Sequence, residues 1–360
     1  MLRVGGPRRF AHSLKIKKNM KQIKARYYLL IAALCFAAVA LIGYYYFFAP
    51  FSAQTETTYI YIDSDDSADS VYAKLENVAA SASLTGLRTL ARHYDYDDNI
   101  RTGRYAIEPG VNPIQVFRML KNGRQKPMML TIPECRTMEQ MAARLSAKIM
   151  IDSTTIANAL LSNETCQRVG YDTCTIACLF VPNTYEVYWD ISISKLLDRM
   201  KSEHDKFWTT ERKQKAHNLG LEPNQVSTLA SIIDEETANN DEKPMIAGMY
   251  LNRLKAGMPL QADPTVKFAL KDFSLKRIYH NHLQVESPYN TYKNTGLPPG
   301  PIKVASIKGI DAVLNSVNHH YLYMCAKEDF SGTHNFAVTY QEHLKNAARY
   351  AKALNERDIK

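Results

Sequence analysis

Tyr27 to Phe48 is a run of 22 residues without a charged side chain (YYLLIAALCFAAVALIGYYYFF), and it divides what this chain can fold into. As a helix the run would reach roughly 33 Å, enough to cross the hydrocarbon core of a bilayer. Before it, residues 1–26 hold nine of the chain's 45 bases and none of its 36 acids, so the remaining 36 bases balance the acids. The net charge of +9 thus belongs to the tail, and the folded part loses the main support for a nucleic-acid role. Bases ahead of the run and the aromatic belt Tyr44–Phe48 behind it predict an uncleaved, single-pass anchor with its N-terminus in the cytoplasm. A cleaved signal peptide is the alternative; its apolar region is normally shorter, and the small-residue site near Ala49–Ala53 is weak. Everything from residue 50 onward is then expected outside the cytoplasm.

After a linker over 49–57, Thr58–Ile62 alternates like a strand and Ser64–Ser67 caps a helix through Val71, Leu75 and Val78. A second helix follows around Leu87–His93. Gly103–Ile107 reads as a strand, Pro109-Gly110 as a turn, and Asn112–Leu120 as a helix ending at Gly123. This order predicts a small α+β module over 58–125, LysM-like in pattern. A middle region over 126–220 opens with Met128–Ile132, with helices near 137–149 and 153–162 and one amphipathic helix over Ile191–Gly220. Within it, Phe180–Trp189 is dense in Tyr and Trp: rings that stack on sugar faces, or equally a packed aromatic corner. Cys135, Cys166, Cys174 and Cys178 lie where one or two disulfides can form. Cys174-x3-Cys178 lacks a matching His or Cys pair at zinc spacing, so disulfides or inert thiols are favoured over a metal site. Cys325 reads as a buried thiol. No metal or cofactor is expected.

A catalytic core is expected over 221–350, followed by a tail over 351–360. Its centre is Ser231–Thr237 (SIIDEET). At about 100° per residue, with Leu229 at zero, Val226, Ile232 and Ile233 form one apolar face and Glu236 falls inside it at about 340°. Asp234 and Glu235, at about 140° and 240°, point to the polar side, where two acids can sit in water. A carboxylate aimed at the core must be neutralised, paired, or placed at a cleft where a raised pKa has a use. One structural alternative pairs Glu236 with Arg253.

Asn239 and Pro244 then start a helix through Ile246, Met249, Tyr250, Leu251 and Leu254 that ends at Gly257. Polar groups gather on the loops beyond: Gln261, Asp263, Glu286, Tyr289, Asn290, Tyr292, His334 and Asn335. Three of them have a structural alternative. Asp263 before Pro264 can form an Asx-turn, Glu286 can be a cap or an outlying acid, and His334 a satisfied structural histidine.

Leu229–Thr237 (LASIIDEET), Leu251–Leu254 (LNRL), Leu260–Val266 (LQADPTV), Tyr289–Tyr292 (YNTY) and Gly296–Gly300 (GLPPG) together resemble the MltG/YceG-like endolytic peptidoglycan transglycosylases. The resemblance extends from the N-terminal anchor through the LysM-like part to a mixed α/β catalytic domain. In that family the catalytic acid is the last Glu of a Ser-Ile-Ile/Val-Glu-Lys-Glu run; aligned on Ser231, it is Glu236. This sequence departs at Asp234 and Glu235, where Glu and Lys are usual.

The resemblance implies an α+β, inner-membrane carbon–oxygen lyase acting on polysaccharide. It would cleave MurNAc–GlcNAc bonds within nascent strands, leave 1,6-anhydro-MurNAc ends and so terminate strand elongation. A lysozyme-type hydrolase wants two carboxylates flanking the bond. A lytic enzyme uses the sugar's own 6-hydroxyl, so one Glu with a raised pKa can serve as acid and then base. Gln261, Tyr289 and Asn290 would hold the N-acetyl and ring hydroxyls, with Asp263, Glu286, Tyr292 and His334 as further substrate contacts. Implied partners are glycan strands, the membrane, and cell-wall synthases with other elongation or division proteins. The rival of a different class is a non-catalytic peptidoglycan-binding scaffold of that machinery.

Overall fold

A computed structural model describes residues 8–275 and 277–357; Arg3 of the basic tail and residues 358–360 of the expected C-terminal tail lie outside them. The chain divides into two units, Met1–Pro127 and Met128–Lys360.

The first unit begins with α1 (Arg8–Phe47), so the apolar run and most of the basic tail share one helix. Its segment Lys17–Phe47 is long and apolar enough to cross a membrane. Tyr28, Leu34, Phe36 and Leu41 stand exposed along it, unpartnered by any protein core. Then come β1 (Thr58–Ile62), α2 (Ala68–Glu76), α3 (Ser81–His93), β2 (Gly103–Ile107) and α4 (Pro113–Lys121), in the order expected from the sequence. β1 and β2 pair antiparallel, from Thr58↔Ile107 to Ile62↔Gly103. Asn112 caps α4 through a reciprocal box with Gln115, the arrangement that satisfies two orphan amides at a helix start. The inward residues of these elements, among them Ile62, Val71, Leu75, Leu87, Tyr105 and Val116, make one core with Phe51 of the linker.

The second unit has two apolar clusters. Around the first run β3 (Met128–Thr131), α5 (Met138–Ser146), α6 (Ser153–Leu160), α7 (Asn163–Arg168), β4 (Thr184–Val187) and α8 (Ile193–Phe207). The aromatic stretch is structural at Phe180 and Tyr185, whereas Tyr188 is exposed. Phe180 and Tyr185 are buried, Tyr185 donates to the Val181 carbonyl at 2.8 Å, and its strand β4 pairs with β3. Cys135, Cys166 and Cys178 are buried thiols and Cys174 is exposed; all are unpaired. Burial pushes the Cys178 thiol up to about 12, so it stays protonated and inert. The single helix expected over 191–220 is two, α8 and α9 (Thr210–Asn218). Trp208 buries in the core, and the Thr209 hydroxyl takes the Arg212 amide as a new N-cap.

The second cluster packs α10 (Pro223–Glu236) and α11 (Lys243–Lys255) against α13 (Ile307–Leu314). Between them lies α12 (Asp263–Leu270), in a stretch that reads as a loop. A hairpin of β5 (Tyr323–Ala326) and β6 (His334–Ala337) follows, with Ala326 opposite His334. α14 (Tyr340–Glu356) runs past 350, so the expected tail is helical over most of its described length. Fully buried Leu229, Ile232 and Ile233 each contribute about 2 kcal/mol of burial to the floor on which the acids of α10 stand.

Candidate active site

Pro223 opens α10 at its first turn, and Glu222 and Gln225 close a capping box; the helix then runs to the three acids without a break. None of the three sits free in water, which corrects the reading from helical phase. Asp234 is deeply enclosed. Its side chain is 1% exposed, bonded to Lys243 Nζ at 2.7 Å and to the Ser306 amide and hydroxyl at 2.7 and 2.8 Å. The cap of α13 is thereby tied to the end of α10. A Cβ on Gly309 would lie 2.6 Å from the Asp234 carboxylate, so that turn must be glycine. Glu235 is held by Arg136 in a fork of 2.8 to 3.2 Å and by Lys303 at 3.7 Å. The polar side of α10 faces other segments of the same unit, which phase alone cannot reveal.

Glu236 lines a cavity of about 290 Å³ with Gln261, Asp263, Tyr292 and His334. Sequence reasoning missed Tyr250, Arg253 and Cys325 on its wall. Tyr250, fully enclosed on α11, donates its phenol to Glu236 Oε1 at 2.7 Å. Arg253 does not pair with Glu236. It spends its guanidinium on the carbonyls of Leu322 at 2.6 Å and Leu260 at 2.7 Å, tying the hairpin to the loop before α12. Cys325, expected as a buried core thiol, is only half-buried and faces this cavity.

The electrostatics favour a proton on Glu236. Burial pushes its carboxyl up to about 7; the Tyr250 hydrogen bond opposes this, the Asp263 charge adds to it, and His334 and Lys267 pull it down. Burial also holds the Tyr250 phenol well above its ordinary value, with the Glu236 charge adding to the effect, so Tyr250 remains a donor.

Asp263 begins α12 and accepts from the Tyr292 hydroxyl at 2.6 Å. Thus a second carboxylate shares the cavity, although the sequence offered no obvious one. Gln261 reaches the site from a left-handed backbone, φ 49°, a conformation that costs a non-glycine residue about 1 kcal/mol or more. His334 is fixed by Glu242, which accepts its amide at 2.6 Å and its Nδ1–H at 2.9 Å. Glu242 is itself buried and had no sequence signal beyond its place before α11.

Three expected contacts lie elsewhere. Asn290 is wholly buried: its amide nitrogen donates to the Leu283 and Val285 carbonyls and its oxygen accepts the Tyr292 amide, so it shapes the loop that presents Tyr292. Tyr289 turns to a neighbouring cleft, its ring 4.7 Å from that of Phe268. Glu286 projects from the surface and pairs with Lys293 at 2.5 Å. Asn335 donates to Glu328 at 2.7 Å. Gly300 at the end of GLPPG lies so close to the Cys174 carbonyl that a Cβ would be 2.0 Å from it, so this elbow requires glycine.

The YceG-like family model matches residues 60–349. The chain is 36% identical over 168 residues to the endolytic murein transglycosylase of Bacillus subtilis (strain 168), covering 47% of this chain and 46% of that one. It is 28% identical over 299 residues to the endolytic murein transglycosylase of Streptococcus pneumoniae serotype 2 (strain D39), covering 73% and 53%. The chain spans about half the length of these relatives. A yceG-like protein from Listeria monocytogenes, solved at 2.6 Å, superposes with a TM-score of 0.54 at 26% identity, covering 81% of this chain and 99% of that one. The family match runs from β1 into α14 and takes in every residue of the Glu236 cavity; the chain belongs to the YceG-like family.

Proposed function

We propose that this chain is a membrane-anchored endolytic peptidoglycan transglycosylase, with Glu236 as its single acid and base. The observation that carries the reading is the Glu236 carboxyl, raised to about 7 at the wall of a polar cavity and touched by Tyr250. A carboxyl poised there is protonated often enough to deliver a proton and ionised often enough to take one back. The proton goes to the glycosidic oxygen as the MurNAc C1–O bond breaks. The carboxylate then removes the proton of the 6-hydroxyl as O6 bonds to C1, closing the 1,6-anhydro ring. No water is consumed, and the proton count on Glu236 is restored.

Tyr250 holds Glu236 Oε1 and leaves the other oxygen for the sugar. Gln261, Tyr292 and His334 supply polar contacts to hydroxyls and the N-acetyl group. α1 would keep the enzyme in the inner membrane with residues 50 onward outside the cytoplasm, restricting it to nascent strands near the bilayer and suiting it to end their growth. The 58–125 module, LysM-like in element order, would add a second hold on glycan.

Asp263 on the same cavity favours one alternative, hydrolysis by a pair of carboxylates. The Tyr292 hydroxyl already occupies Asp263 Oδ1, which suits a positioning role better than a nucleophile. The test incubates the full chain in detergent with uncrosslinked glycan and weighs the products. Anhydro-MurNAc ends are expected, lost in Glu236→Gln while strand binding persists. Reducing MurNAc ends would indicate a hydrolase, and intact strands a binding scaffold.

A further inference from the structure

Beyond α12 from Glu236 lies a cleft of about 380 Å³ that the reaction as written does not use. Its floor is aromatic and apolar: Phe268, Phe273 and Tyr289, with Ile176 and Pro301. Its charged lining is Arg136, Lys271 and one acid, Glu139, so cations outnumber the acid two to one. A smaller pocket shares Arg136, Phe268 and Phe273 with the cleft and adds Lys267, which lies near enough to Glu236 for its charge to be felt there. Asp263 and Lys267 lie one turn apart on α12 and Lys271 closes its end, so the three follow the helix from the Glu236 cavity through the smaller pocket to the cleft.

Two features of this stripe point to an anionic ligand. Among the described residues, no acidic side chain pairs with Lys267 or Lys271, whereas Arg136 is already engaged by Glu235. Lys271 also closes α12 in a left-handed conformation, φ 54°, where glycine would be about 1 kcal/mol easier. A cation is thus held at the cleft in a backbone state that few non-glycine residues adopt. Like Gln261 at the other end of α12, it is a non-glycine left-handed residue facing a pocket.

We infer that this cleft receives the acidic peptide branch of the glycan substrate, with its small side chains on the Phe268–Phe273–Tyr289 floor and its carboxylates at Lys267 and Lys271. The inference rests on the transglycosylase reading and extends it. The chemistry separates branch from sugar: the uncleaved disaccharide backbone is neutral, and the carboxylates of peptide-bearing glycan are on the peptide. The lengths agree. The eight residues of α12 span about 12 Å, and four extended peptide residues reach about 13–14 Å from the lactyl ether of a MurNAc in the catalytic cavity.

The test compares KM for peptide-bearing strands with KM for strands stripped of peptide by an amidase, which leaves only the lactyl carboxylate beside the catalytic cavity, using the full chain in detergent. Lys271→Gly removes the cation and suits the left-handed backbone, so folding is preserved. It is expected to raise KM about tenfold on peptide-bearing strands and less than twofold on stripped ones, and Lys271→Glu more steeply in the same pattern. An equal change on both substrates, or none on the peptide-bearing one, would overturn the inference. If neither strand yields anhydro ends, the activity reading fails, and titration with the free tetrapeptide L-alanyl-γ-D-glutamyl-L-lysyl-D-alanine decides this one. Saturable binding weakened by Lys271→Gly supports it; no saturable binding overturns it.

Discussion

The phenol of Tyr250, buried on α11, donates to Oε1 of Glu236 at the end of α10 across 2.7 Å. This bond favours the ionised carboxylate, while burial favours the neutral acid, and burial wins.

Tyr250→Phe removes the opposing influence, so the Glu236 pKa is expected to rise above its present value of about 7. If Glu236 must start protonated, activity falls as pH climbs through that pKa. The alkaline limb of the pH–rate profile should therefore move to higher pH in Tyr250→Phe, with kcat about tenfold lower from lost positioning. A limb that stays in place would mean that another group sets it.

The same carboxyl destabilises the fold when ionised. Its pKa is near 7 in the folded chain against an ordinary 4.5. Between these values the folded state binds the proton more tightly, so stability falls as pH rises, reaching a cost of roughly 3 kcal/mol above pH 7. Glu236→Gln should raise the melting temperature by several degrees at pH 8 and leave it unchanged at pH 4, read by thermal unfolding of the detergent-solubilised chain. An equal gain at both pH values would contradict the linkage.

The three acids of α10 should separate cleanly in stability. Asp234→Ala strands the buried Lys243 side chain and leaves the Ser306 amide and hydroxyl without their acceptor, at about 3–5 kcal/mol. Glu235→Ala breaks a pair with the half-exposed Arg136 and a longer one with Lys303, at about 1 kcal/mol. Denaturant midpoints measure both. Similar losses in the two variants would show that the burial of Asp234 carries no energetic weight.

Glu242 and His334 should act as one unit, since a single carboxylate takes both the amide and the Nδ1–H of the histidine. Glu242→Ala and His334→Ala are each expected to lower kcat/KM by about 10- to 100-fold, and the double variant hardly further. Multiplying losses would show that the two residues work independently.

Helical phase was enough to single out Glu236, because α10 is regular and its apolar face is continuous. The strand–helix–helix–strand–helix order of the first unit was legible for the same reason: its caps, such as Asn112 with Gln115, are local. What sequence could not supply was long-range partnership. Asp234 reads as solvated until Ser306 and Lys243 are brought to it, and Tyr250 reads as core until α11 crosses α10. α12 was hidden by Pro264, which reads as a turn but sits in a helix's first turn, where its missing amide costs nothing. Asn290 had the composition of a sugar ligand, yet its hydrogen bonds are all used within its own loop.

Glu236 is expected to work with the sugar's own hydroxyl and not with water. Cleaving uncrosslinked glycan in heavy-oxygen water and reading the new MurNAc ends by mass tests it directly. The expected result is ends that carry no solvent oxygen in the wild-type chain and no new ends in Glu236→Gln. One heavy oxygen at each new end would mean that water attacks C1 and would make Asp263 the partner carboxylate of a hydrolase.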